Sequence, residues 1–280
     1  MSTAQMTPEN KATKASADPA RKGGDKLLSL RETGRLYHPV HDVPLTHFQV
    51  FGERASATNL VRKLIEKNIE IDGAIGMGWK HAVPRMVAIP KSYLIVGVVR
   101  HAEAWALSMH KRPWHLDPRL HVFDFSRFIR TPWRGIVDRP TDFEELPRKL
   151  RDQVDGMPLQ MDLHPITGRP YNNLFQMRAI KMASLLSFMN RGCNVVLLKA
   201  EQVQDDPEGF ADWFSETLAL KRRSERFQGI HRRLGNRHKL AVPDELRGST
   251  PKEMSQQDRK FMRSALDMQL EELVGYTYPE

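Results

Sequence analysis

A change of hydrophobic period inside residues 47–68, HFQVFGERASATNLVRKLIEKN, sets the terms for the rest of the chain. His47 to Phe51 alternates polar and apolar side chains as a strand does, and from Leu60 the apolar residues (Leu60, Val61, Leu64, Ile65) recur at helical spacing. A strand therefore runs directly into a helix. The connecting turn, Gly52 to Asn59, carries one glycine, one arginine and the trio Ser56, Thr58 and Asn59, side chains that cap a helix start or bind an oxyanion. The N–H groups of a helix's first turn have no intrahelical partner, and the aligned peptide dipoles place about half a positive charge there. A phosphate or sulfate satisfies both. An ordinary β-turn-α unit with a Ser or Thr cap reads the same way, so other stretches must decide.

The chain of 280 residues, 40% hydrophobic, is long enough to bury a sizeable core, and the pattern predicts a disordered tail over 1–27 followed by one α/β domain over 28–280. Lys+Arg 43 against Asp+Glu 34 gives a net charge of +9, which suits an anionic ligand, a nucleic acid or an acidic surface without choosing among them. A single cysteine, Cys193, excludes an internal disulfide and reads as a buried core residue in a reducing compartment. With no apolar run of membrane-spanning length and no signal-peptide centre, the expectation is a cytoplasmic protein.

Residues 28–44 read as an irregular lead-in. Past the first helix, Gly73, Gly76 and Gly78 break the pattern and WKHAVP (79–84) follows. Tyr93 to Val99, YLIVGVV, is a continuous run of the kind buried on both faces of a parallel sheet. It ends in Arg100, after which Ala102, Trp105, Ala106 and Met109 take up helical spacing until Pro113. Residues 111–170 lose periodicity and gather prolines, aromatics and basic groups, as an acceptor-facing insertion would. A helix returns from Asn172 to Arg191, NVVLLKA (194–200) is another buried strand, and Phe210, Trp213, Phe214 and Leu218 mark a further helix. The basic run 221–240 fits a solvated helix face, a nucleic-acid patch or an arm over an anionic cofactor. One last helix carries Phe261 through Leu273 and stops at Gly275.

A nucleotide triphosphatase loop needs Gly-x4-Gly-Lys-Ser/Thr, and Gly52 has neither the second glycine nor the lysine. The eleven histidines form no HExxH and no thiolate cluster is possible, so no metal site is expected; His115, His121 and His164 read as loop or surface residues. What remains is a loop for one anionic group and Arg100 at the end of a neighbouring strand, where open α/β sheets bind ligands. Arg100 and Ser108, eight residues apart, could both face one further phosphate, although taken alone a surface arginine paired with a carboxylate and a serine inside a helix are the commoner meaning of such a pair.

These residues resemble the P-loop sulfotransferases, which use 3′-phosphoadenosine 5′-phosphosulfate. GERASATN looks like the family's 5′-phosphosulfate loop, and Arg100 with Ser108 matches its Arg-x7-Ser 3′-phosphate site. VVLLKAEQVQDDPEGF resembles the strand, acidic turn and Asp-Pro step that follow in many members, and ELVGY their C-terminal Gly-Tyr, so that the similarity spans roughly 45–276. The resemblance implies a three-layer P-loop-type sandwich, a central parallel sheet with helices on both faces. It implies the phosphosulfate donor as co-substrate, held by Arg54, Ala55, Ser56, Ala57, Thr58, Asn59, Arg100 and Ser108, and no metal. WKHAVP is similar to the family's Lys-Thr-His-Leu-Pro segment, which makes His81 the base and Lys80 the charge stabiliser for sulfuryl transfer to a hydroxyl of a carbohydrate or small molecule. The chain departs from the pattern in three places. Arg54 is displaced by one position, Ala57 stands where the family has glycine, and Lys80 and His81 are adjacent. A sulfotransferase-like nucleotide- or glycan-binding protein without turnover, and a basic nucleic-acid binder, are the alternatives the sequence leaves open.

Overall fold

The computed structural model describes residues 27–143, 146–231, 240 and 242–279. The expected N-terminal tail, apart from Leu27, and most of the second half of the basic run 221–240 lie outside the described residues. The elements in chain order are α1 (Leu28–Thr33), β1 (Arg35–His38), β2 (His47–Phe51), α2 (Thr58–Asn68), β3 (Asp72–Gly73), β4 (Tyr93–Val99) and α3 (Ala102–Lys111). They continue with α4 (Phe125–Arg130), α5 (Arg151–Val154), α6 (Leu174–Leu186), β5 (Asn194–Lys199), α7 (Ala200–Asp205), α8 (Pro207–Thr217), α9 (Gln256–Ala265) and α10 (Met268–Leu273).

The fold is α/β around a five-stranded mixed sheet of order β1-β5-β4-β2-β3. β2, β4 and β5 are parallel, with Phe48 opposite Leu94 and Ile95 opposite Val195, and β1 joins β5 antiparallel at the edge. Every residue of β4 is buried, which is why that run reads as unbroken β-branched and aliphatic. Successive side chains of a strand point to opposite faces. Phe48, Val50, Leu94, Val96 and Val98 therefore pack on one side with Val61, Leu64 and Ile65 of α2 and Phe210 and Phe214 of α8. Phe51, Ile95, Val99 and Val195 pack on the other with Met182 and Leu185 of α6. Each fully buried aliphatic of α2 contributes roughly 1.5–3 kcal/mol, which docks the helix and fixes the loop before it.

β2 connects outward to β3 through α2, whereas β4 connects to β5 on the opposite side. The order thus reverses between β2 and β4, and the crevice beyond their carboxyl ends is the place where such sheets receive ligands. The 52–59 loop leaves one lip of that crevice and Arg100 the other.

Three expectations are corrected. Residues 28–44 are not irregular throughout, since they form α1 and β1, and Leu27 is buried against the core instead of belonging to the tail. The sheet is mostly but not wholly parallel, because β1 supplies an antiparallel edge. The last helix is two, broken at Leu266–Asp267, where the Asp267 carboxylate accepts from the Leu270 N–H and starts a new helix. Cys193 is buried as expected.

Candidate functional site

The turn after β2 needs Gly52. Its φ of 156° is closed to side-chain-bearing residues in practice, and a Cβ there would lie 2.5 Å from the Val98 carbonyl oxygen. Ala55 and Ala57 also hold left-handed backbone, at φ 62° and 61°, a conformation that costs an L-residue about 1–2 kcal/mol. Ala57 is the N-cap of α2 and offers no side-chain oxygen, so none of Ser56, Thr58 and Asn59 caps the helix as the sequence suggested. The first-turn N–H groups keep their donor capacity and the partial positive charge of the helix end.

Lys80 and His81 are delivered to this loop by a residue the sequence reading passed over. Gln49 is a polar side chain buried in β2. Its amide donates to the Gly78 carbonyl at 2.7 Å and accepts from the Met77 N–H at 3.0 Å, pinning the segment that leads into WKHAVP. The Gly52 N–H then donates to the Lys80 carbonyl at 3.0 Å, and His81 Nδ1 lies 2.6 Å from the Gly52 carbonyl. A carbonyl only accepts, so Nδ1 carries the proton and Nε2 the lone pair. Burial, then the charge of Lys80, holds the imidazole pKa well below its ordinary value, against the opposing pull of the Gly52 carbonyl. His81 is neutral at neutral pH. The Lys80 ammonium donates to Asn59 Oδ1, and burial, followed by nearby Arg62, lowers its pKa to about 8.

On the other lip, Arg100 donates to the Ala55 carbonyl at 2.7 Å, and no described carboxylate forms an ion pair with it. Trp105 of α3 donates to the Arg54 carbonyl at 2.8 Å, and Ser108 is three residues further on, on the same side of the helix. No hydrogen bond joins the Ser108 side chain to the loop among the described residues. The segments resembling the family's later motifs meet next to Arg100, where Glu201 accepts from the His101 N–H and the Tyr276 hydroxyl, both at 2.8 Å.

Arg54 goes elsewhere. Its guanidinium, 1% exposed, pairs with Asp162 at 2.7 Å, donates to the Trp114 carbonyl at 3.1 Å and lies 4.8 Å from the Trp133 ring. Lys181 reaches the same carboxylate at 2.5 Å and Glu53 at 3.0 Å, and the Trp133 indole donates to it at 2.6 Å. Burial alone would raise the Asp162 pKa, but Arg54 and Lys181 outweigh it and hold the carboxyl well below the usual range. Glu53 goes the other way, raised by burial that Lys181 and Arg54 only partly offset. This enclosed cluster is the floor on which the loop sits.

His81, Lys80 and Trp79 border a cavity of about 360 Å³ that also takes in Trp114, His115 and the Arg139–Asp142 segment. His115 and His121 lie in turns, as expected of loop residues, but both are buried and neither is on the surface. Asp138 holds the His115 ring at Nδ1, 2.7 Å away, and accepts from its backbone N–H at 3.0 Å, which keeps His115 in left-handed backbone at φ 56°. Arg222 and Arg223, from the described part of the basic run, are occupied by Asp212 and the Ile71 carbonyl.

Among the described residues no helix is long and apolar enough to cross a membrane. Comparison of the chain with protein-family models, with curated proteins and with solved structures found no match.

Proposed function

We propose that the protein is a sulfotransferase of the three-layer P-loop type, moving a sulfuryl group from 3′-phosphoadenosine 5′-phosphosulfate to an acceptor hydroxyl. The observation that carries the reading is the convergence of two separate segments on one loop: the 79–84 segment, with Lys80 on Asn59 and His81 on the Gly52 carbonyl, and the end of β4, with Arg100 on the Ala55 carbonyl. The sulfur–oxygen bond to the acceptor forms as the bond to the donor's 5′-phosphate breaks. The acceptor proton passes to His81 Nε2, and the electron pair leaves on the phosphate oxygen, where Lys80 and the first-turn N–H groups of α2 meet the growing charge. Arg100 and Ser108 take the 3′-phosphate. In this reading Arg54 supports the loop from below instead of gripping the donor, and the metal-free charge set makes the reaction insensitive to chelation. The donor is small and needs no nucleic acid and no membrane span; a cytoplasmic setting goes with it. Arg54's withdrawal from the loop also suits the non-catalytic binding alternative, which predicts donor binding without transfer. Calorimetry decides the core of the reading. Adenosine 3′,5′-bisphosphate should bind more tightly than adenosine 5′-phosphate by roughly 1.5–3 kcal/mol, and Arg100→Ala should erase the difference. Equal affinities in the wild type would remove the assignment.

A further inference from the structure

Two touching loops expose apolar side chains that nothing in the described fold covers. Val87, in the segment leading from WKHAVP to β4, is 108% exposed, and Ile166, in the 164–169 turn, is 88% exposed. That turn is closed on itself: the His164 N–H donates to the Arg169 carbonyl at 2.8 Å and the Gly168 N–H to the His164 carbonyl at 2.9 Å, which leaves Ile166 at its tip. Arg85 donates to the Pro165 carbonyl at 3.0 Å and sets the two loops side by side, while Arg191 donates to the neighbouring Pro84 carbonyl at 3.3 Å. The charge around the pair has one sign. Residues 73–102 and 163–200, the stretches that supply both loops, contain no aspartate or glutamate. Arg85, Arg169 and Arg191 are all exposed, and no described carboxylate forms an ion pair with any of them. The acid that precedes the turn, Asp162, is enclosed with Arg54 and Lys181. Leu246 shows the contrast. It is exposed as well, but it stands beside Asp244 and Glu245, and Arg247 is held by Asp244 at 2.6 Å.

A single exposed valine or isoleucine is ordinary; two on adjoining loops among uncompensated guanidinium groups are a pattern. At the surface of a bilayer, apolar side chains enter the boundary between headgroups and acyl chains while Lys and Arg meet anionic lipid phosphates. A nucleic acid or other polyanion would use the arginines and leave the valine and isoleucine in water. A stable protein interface buries roughly 800 Å² on each side around a contiguous apolar centre, which two separate loop side chains do not supply. We infer that this face, Val87 and Ile166 with Arg85, Arg169 and Arg191, docks the protein on an anionic membrane surface. The inference stands whether or not the protein transfers sulfuryl groups. Sedimentation with vesicles of phosphatidylcholine alone, and of phosphatidylcholine with about 30% phosphatidylglycerol, tests it on the full chain. The anionic vesicles should bind and the neutral ones should not. Val87→Ser with Ile166→Ser should weaken binding roughly tenfold or more with thermal unfolding unchanged, and Arg169→Gln about fivefold, while Leu246→Ser leaves it as it was. Because Cys193 is buried, a Val87→Cys variant takes an environment-sensitive dye at one exposed thiol. Its emission should rise on anionic vesicles and stay level with heparin, and the same dye on Leu246→Cys should respond to neither. No binding to anionic vesicles overturns the inference. So does vesicle binding that the paired serine substitutions leave intact, or a silent dye at position 87, since either result makes the contact a matter of overall positive charge, as for any polyanion.

Discussion

Beneath the 52–59 loop, Arg54 and Lys181 meet Asp162 and Glu53 in a space closed to solvent, whereas along the crevice Lys80 and Arg100 are held by the Asn59 amide and the Ala55 carbonyl. Both regions concentrate positive charge within a few residues of the same backbone. The partners separate them. A buried cation facing a carboxylate has its charge consumed, and removing either member strands the other without solvent. A cation at a cavity edge that is held only by neutral oxygens is positioned but not neutralised, and it keeps its charge for a ligand. By this criterion Arg54 belongs to the architecture, and the proposed reading gives Arg100 and Lys80 to the ligand, although all three look alike in sequence.

The largest effect should come from the floor. Asp162→Ala leaves Arg54 and Lys181 short of their shared counter-ion, and urea denaturation should show a loss of about 3–5 kcal/mol, more than any substitution on the rim. The pH dependence follows from the depressed folded pKa. Asp162's contribution is complete above its unfolded pKa of about 4 and is lost as pH falls toward the lower folded value, so the variant should lack that part of the acid limb. An Asp162→Ala protein as stable as wild type would erase the distinction between floor and rim.

Next comes the rim. His81→Ala should lower turnover roughly 10²–10⁴-fold with bisphosphate affinity nearly intact. Because the His81 pKa is held well below its ordinary value, wild-type turnover should stay level as pH drops through about 6.5, where an unperturbed histidine would already lose its lone pair. On the alkaline side the Lys80 charge is lost near pH 8, and Lys80→Arg should move that fall to higher pH. A pH–rate profile with an acid limb centred at 6.5 would exclude His81 as the base.

What could be read from sequence, and what could not, divides along the same line. The β2-loop-α2 unit, β4 with Arg100 and the buried β5 were legible because each is defined by local periodicity. The loop's contacts with Lys80 and His81 bridge only about thirty residues, and the spacing hinted at them. Arg54's role depends on Asp162, 108 positions away in a stretch without period, so nothing near Arg54 announces an ion pair. β1 escaped notice for a related reason. Four residues give too short an alternation, and its place is set by pairing with β5 far along the chain. Asp267 was the missed local signal, an N-cap type standing where one long helix was expected. Gln49 carried none, since a lone polar residue in a strand looks solvent-facing until its partners, Met77, Gly78 and Tyr93, are seen.

A smaller effect concerns Ala57, whose left-handed backbone glycine would adopt without strain. Ala57→Gly should raise stability by about 0.5–1 kcal/mol, the relieved strain less the added chain entropy, as read by thermal unfolding. A destabilised variant would mean that the loop depends on the alanine methyl.

The most direct measurement compares two arginines by the same pair of experiments. Arg54→Met and Arg100→Met are each assayed by urea denaturation and by calorimetry with adenosine 3′,5′-bisphosphate. Arg54→Met should lose about 3–5 kcal/mol of stability, and Arg100→Met should fold with near wild-type stability while losing roughly 1.5–3 kcal/mol of ligand affinity. If Arg100→Met is the destabilised protein and binds the bisphosphate as tightly as wild type, the assignment of the rim to ligand and the floor to fold is contradicted.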